Sequence, residues 1–97
     1  MKEGLNMNKD INNIKLMESY YDKCYQLLRY EYLNNIQETM LEYMIYELSC
    51  YYQSKQWIKD YDNYELGLFP KELKCGVLSQ DAIYNLLDEF NEKKTSL

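Results

Sequence analysis

The sequence predicts an all-α protein: a long antiparallel helical hairpin, a short third helix, and a C-terminal helix closing a small bundle. Three observations predict it. Apolar residues recur at three- and four-residue steps along most of the chain, the period of a helix with one buried face. Beyond the N-terminus, glycine and proline occur only as Gly67, Pro70 and Gly76, so a forced turn is needed in one place. The hydrophobic share of 46% is that of a globular chain, and 97 residues make one domain. That domain spans 1–97, with residues 1–8 as a frayed lead-in and 93–97 as a frayed tail.

The first helix is predicted from about Asn8 to Leu33. Ile14, Met17, Tyr21, Cys24, Leu28 and Tyr32 form its main stripe, and Leu16, Tyr20 and Leu27 a second one beside it. If the second stripe packs on the C-terminal helix the chain is a monomer; if it stays open, a homodimer is expected. Asn34-Asn35 is the turn-like dipeptide that splits the hairpin; without a bend there, one helix would run from Asn8 to Ser54. The second helix follows from about Ile36 to Gln53. Met40, Leu41, Met44, Ile45, Leu48, Tyr51 and Tyr52 form its apolar face, with Glu38 and Glu42 opposite. Tyr43, Tyr46 and Cys50 lie towards the polar side, where they either pack as a rim against the C-terminal segment or anchor a partner.

Ser54 either breaks this helix or caps the next, a short one running to about Tyr64 through Trp57, Ile58 and Tyr61. Trp57 is expected as a core plug beneath the turn. Ser79 suits an N-cap, Asp81 then meets the positive end of the helix dipole, and Leu78 and Ile83 have the spacing of a hydrophobic staple. The helix from Ser79 to Glu92 places Ala82, Ile83, Leu86, Leu87 and Phe90 on one face.

The run from Tyr51-Tyr52 to Trp57, then Asp60-Tyr61, Glu65-Leu66-Gly67, Pro70, Leu73-Lys74, Gly76 to Asp81, and Tyr84 to Leu87 resembles a family of short bacterial proteins, a domain of unknown function of the DUF4298 type. The resemblance is specific from Tyr51 to Glu89; the first fifty residues share only helical character. It implies a mostly helical fold and carries no activity, cofactor or catalytic residue. Its motif residues here are Trp57, Gly67, Pro70, Gly76, Ser79, Asp81 and Tyr84.

Chemistry is scarce. With no histidine there is no histidine base, triad or metal ligand. Cys24, Cys50 and Cys75 form no CxxC pair and read as free thiols of a reducing compartment. Cys75, beside Lys74, is the one with an activating neighbour, although an inert loop cysteine is the plainer reading. Asp60, Asp62 and Glu65 form an acidic cluster without the later ligands or mid-loop glycine of a calcium loop; a solvated acidic face is expected. No phosphate loop is present. A non-enzyme without cofactor or metal is therefore expected. No apolar run is long enough for a bilayer, and Met1 to Asn6 lack a signal-peptide core, so a cytoplasmic location is expected.

The net charge of −5 falls on residues 30–65, which hold two bases against seven acids. Such a chain does not suit direct nucleic-acid binding. It suits a protein partner, including one with a basic groove. The twelve tyrosines fit the codon usage of a low-GC bacterium or its mobile elements. Three readings compete: a non-catalytic protein-interaction module; an acidic phage or mobile-element inhibitor of a basic, nucleic-acid-binding enzyme; and a small-ligand binder with a pocket at Trp57, Tyr61 and Tyr84. The candidate partner face comprises Glu38, Glu42, Tyr43, Tyr46, Asp60, Asp62 and Glu65.

Overall fold

The structure, a computed structural model, describes residues 7–95. It contains four α-helices: α1 (Asn8–Leu27), α2 (Asn35–Tyr52), α3 (Lys55–Glu65) and α4 (Gln80–Thr95), with a 3-10 turn at Gly76–Leu78. No strand occurs among the described residues.

α1 and α2 form the antiparallel hairpin. α4 lies against both and runs parallel to α1: Glu89 meets Arg29 just past the end of α1, and Lys94 meets Glu42 near the start of α2. α3 and the 3-10 turn close the opposite end, where Gln56 and Lys59 reach Asp10. The core is built from Ile14, Met17, Cys24 and Leu27 of α1, Leu41, Met44, Ile45, Leu48 and Tyr51 of α2, and Ile83 and Leu86 of α4. Trp57, Val77 and Leu78 seal it at the α3 end. The result is an elongated bundle of 53 × 22 × 21 Å.

Local chemistry explains most boundaries. Asn34 caps α2 in a reciprocal box: its Oδ1 accepts from the Gln37 N–H at 2.8 Å, and the Gln37 side chain accepts from the Asn34 N–H at 3.0 Å. The bend expected at Asn34-Asn35 is thus a helix start. Ser54 caps α3 by accepting from the Trp57 N–H at 3.2 Å. Ser79 Oγ accepts from the Ala82 N–H at 3.3 Å at the start of α4. Leu78 and Ile83, the expected staple, are both buried.

Two boundaries differ from the sequence reading. α1 ends at Leu27 rather than Leu33, because the Arg29 and Tyr30 N–H groups bond three residues back, to Gln26 and Leu27, and tighten the last turn. The main stripe stops at Leu28, leaving Tyr32 83% exposed. At the other end, residues 93–95 are helix rather than frayed tail. Lys93 donates to the Tyr30 carbonyl at 2.8 Å, and Lys94 pairs with Glu42 at 3.3 Å, so two ammonium groups also sit at the negative end of the α4 dipole. Of the lead-in, residues 1–6 lie outside the described residues; so do 96–97 of the tail. Among the described residues no helix is long and apolar enough to cross a membrane.

Candidate functional site

Of the motif residues, Trp57 and Gly76 meet where α3 and the 3-10 turn close the bundle. Val77 is held through both of its peptide groups. Its N–H donates to Glu18 Oε2 at 2.6 Å, and its carbonyl accepts from Trp57 Nε1 at 2.9 Å. The turn is therefore clamped between α1 and α3. Trp57 is the plug expected of it, stacked on Tyr61 at 5.2 Å with Tyr52 edge-on. Gly76 permits the close approach: a Cβ there would stand 3.3 Å from Glu18 Oε2. Gly67 has a different role. With φ at 71° it takes the left-handed position after α3. Its N–H bonds to the Tyr64 carbonyl and that of Leu68 to Asn63, both at 3.0 Å, the paired bonds of a Schellman stop. Pro70 is exposed, and its carbonyl accepts from the Leu73 N–H at 3.1 Å in the loop beyond.

A second polar cluster lies beside this clamp. Asp60 has 0% exposure. Its Oδ2 accepts from the Tyr51 hydroxyl at 2.6 Å and its Oδ1 from Gln56 Nε2 at 2.7 Å. The same Gln56 nitrogen reaches Asp10 at 3.1 Å. This corrects the sequence reading of Asp60 as part of a solvated acidic face. Asp60 falls three residues after Trp57, hence on the inward face of α3, while Asp62 and Glu65 point to solvent. Charge reversal at all three sites would strand a cation in the core. Among the described residues no group of His, Cys, Asp and Glu is placed to hold a metal ion.

Burial sets the electrostatics. It pushes the carboxyl groups of Glu18 and Asp60 above the usual carboxylate range, although the Val77 N–H for Glu18, and Tyr51 and Gln56 for Asp60, pull the other way. The Tyr51 phenol is raised by burial and then by Asp60. Burial pushes Cys24 up to about 12. Cys75 is likewise raised, by burial and then by the Glu18 and Asp60 carboxylates. Lys74, the neighbour that would have activated it, is instead engaged by Asp22 at 2.7 Å. Among the described residues no buried side-chain nitrogen or oxygen lacks a partner. The arrangement fixes a turn; its acids are held by the chain's own donors.

The remaining candidates scatter. Glu38 and Glu42 line a groove at the α1–α2 loop end with Glu31, Leu33, Phe90 and Lys94. Asp62 and Glu65 belong to the opposite end, so one continuous acidic face is not formed. Tyr43 and Tyr46 are 55% and 64% exposed. Tyr43 meets Tyr20 of α1 edge-on at 6.0 Å, rather than forming a rim with the C-terminal segment. Asp81 is exposed in the first turn of α4. Tyr84 is 63% exposed on α4, and among the described residues no ring contact joins it to the Trp57–Tyr61 stack. The pocket expected at Trp57, Tyr61 and Tyr84 has no such meeting point.

Sequence reasoning missed Glu18, Gln56 and the exposed seam between α1 and α2. Glu18 had a signal: it lies four residues after Ile14 and three before Tyr21, so an acid interrupts the inward stripe and needs a donor.

A small helical bundle whose closing turn is clamped between a buried glutamate acceptor and a tryptophan donor is the class of protein these features define. The family model described as "Domain of unknown function (DUF4298)" matches residues 14–96, and the chain belongs to that family. No curated protein and no solved structure matches the chain.

Proposed function

We propose that the chain is a non-catalytic, cytoplasmic protein-interaction module of a low-GC bacterium or its mobile elements. Its interface is the outer face of the α1–α2 hairpin. The observation that carries this reading is a run of uncovered large side chains along that face: Leu16, Met40 and Tyr43 are exposed beside the half-buried Tyr20, flanked by Ile36 and Tyr46. α4 covers the other side of the hairpin and leaves this one open. Large aromatic and methionine side chains are the types enriched at interface centres.

A second reading has its own support. α2 carries Glu38, Glu42 and Glu47 and no base. Glu38, Asp62 and Glu65 make no ion pair among the described residues. These acids suit a partner with a basic groove, as in an inhibitor of a nucleic-acid-binding enzyme.

Affinity capture with the wild-type chain and with a Tyr43→Ala/Tyr46→Ala variant tests both readings. The variant should keep its helical circular dichroism and lose the partner. A partner kept by that variant but released by salt and by Glu38→Lys would favour the acidic reading. A partner retained by all the variants and in high salt would reject both.

A further inference from the structure

We infer that the open face of the hairpin takes a second copy of this chain, related by a two-fold axis that passes between Tyr20 and Tyr43 and runs across the helices. The inference rests on the reading of this face as an interface, and names its occupant. Along α1 the face follows positions 13, 16, 20 and 23; along α2 it follows 36, 40, 43, 47 and 50. Both are three-four stripes. Tyr20 and Tyr43 meet at the centre, with ring centroids 6.0 Å apart.

Helical rise then fixes the ends. Lys23 stands three residues beyond Tyr20, about 4.5 Å along α1. Glu47 stands four residues beyond Tyr43, about 6 Å along α2 in the opposite direction. The apolar patch of Leu16, Tyr20, Met40 and Tyr43 therefore has a base at one end and an acid at the other, at nearly equal distances from its centre. Glu47 is close enough to the centre that its charge, after the larger effect of the Tyr43 hydroxyl, helps to raise the Tyr20 phenol. Neither Lys23 nor Glu47 makes an ion pair within the chain among the described residues.

These features distinguish the face from the rest of α2. Within the patch the charges cancel, so it does not seek a basic partner. Turned end for end about its centre, it presents Lys23 to the partner's Glu47 level and Glu47 to the partner's Lys23 level. Each apolar centre meets an apolar centre. This is the self-complementarity of an isologous interface, in which every contact occurs twice. A two-fold axis running along the helices would instead bring like charges to one level, Lys23 beside the partner's Lys23 and Glu47 beside the partner's Glu47. Charge therefore selects the first arrangement. Two hairpins joined this way form a four-helix core with α4 of each copy on the outside. Lys9, farther out on α1, falls beyond the apolar patch.

Sedimentation of the full chain over a wide concentration range, with two charge variants and their combination, tests the inference. The wild type should dimerise. Lys23→Glu and Glu47→Lys should each weaken the dimer by at least about tenfold, because each sets like charges together twice. The double variant Lys23→Glu/Glu47→Lys should regain the dimer, as should an equimolar mixture of the two single variants. Lys23 is exposed and Glu47 half-buried, and circular dichroism reports that the helices persist. A wild-type chain that stays monomeric at high micromolar concentration overturns the inference, even if Tyr43→Ala/Tyr46→Ala still loses a captured partner; that pair of results leaves the interface and removes the second copy. A dimer indifferent to both single substitutions, or not restored by the double one, overturns it as well.

Discussion

Replacing Asp60 removes the acceptor on which two inward donors depend. The Tyr51 hydroxyl and the Gln56 amide both point at it, at 2.6 and 2.7 Å. An Asp60→Ala chain should lose roughly 3 kcal/mol, since unsatisfied buried donors cost about 1–3 kcal/mol each and the amide has Asp10 as a second acceptor. Asp60→Asn should lose less, because its amide oxygen can keep one donor and the tyrosine hydroxyl can turn to accept. Asp60→Lys should not fold. The exposed neighbours give the contrast: Asp62→Lys and Glu65→Lys should each move stability by no more than about 0.5 kcal/mol. Denaturant melts of the five variants separate the cases. Equal, small losses throughout would mean that Asp60 is as free in solution as Asp62.

At the scale of elements, α4 closes the bundle. Ile83 and Leu86 are buried against α1 and α2, and Leu87 and Phe90 are partly so. Burying one such side chain stabilises by roughly 1.5–3 kcal/mol, and small domains are stable by on the order of 5–15 kcal/mol. A chain ending before Ser79 should therefore lose its cooperative thermal transition; a melt like that of the full chain would show that α4 does not support the core. The helices were legible because caps and apolar spacing are local signals: Asn34, Ser54 and Ser79 each start an element, and Gly67 stops one. The end of α1 was less legible, since a tightened last turn has no strong residue signature. The site was legible only in part. Trp57 could be placed from its size, but Asp60 could not be told from Asp62 without knowing which face of α3 turns inward. The partner of Glu18 is a backbone group 59 residues away, and no local pattern announces such a pairing. The exposed hairpin face became visible only once α4 had taken the other side.

For the whole molecule, the two buried acids give stability a definite dependence on pH. Glu18 and Asp60 have ordinary values of 4.5 and 3.8, and both are raised in the folded chain, chiefly by burial. Asp22 and Lys74 face Glu18; Asp10 and Lys59 face Asp60. A carboxyl with a raised folded pKa holds its proton longer in the folded state than in the unfolded one. The folded state then binds more protons across the window between the two values, so stability falls as pH rises through it. The contribution is fully present below the ordinary carboxylate values and is lost as pH climbs through the raised ones. General self-repulsion acts in the same direction, because the chain carries −5 at pH 7 with a pI of about 4.7. Two neutralising variants separate the causes. Glu18→Gln removes a buried acid and keeps a carbonyl acceptor for the Val77 N–H; Glu65→Gln removes one surface charge. The wild type should melt at a higher temperature near about pH 5 than near about pH 8. That difference should shrink clearly more in Glu18→Gln than in Glu65→Gln. Equal shrinkage would assign the pH dependence to net charge alone and leave the buried carboxyl of Glu18 with no part in it.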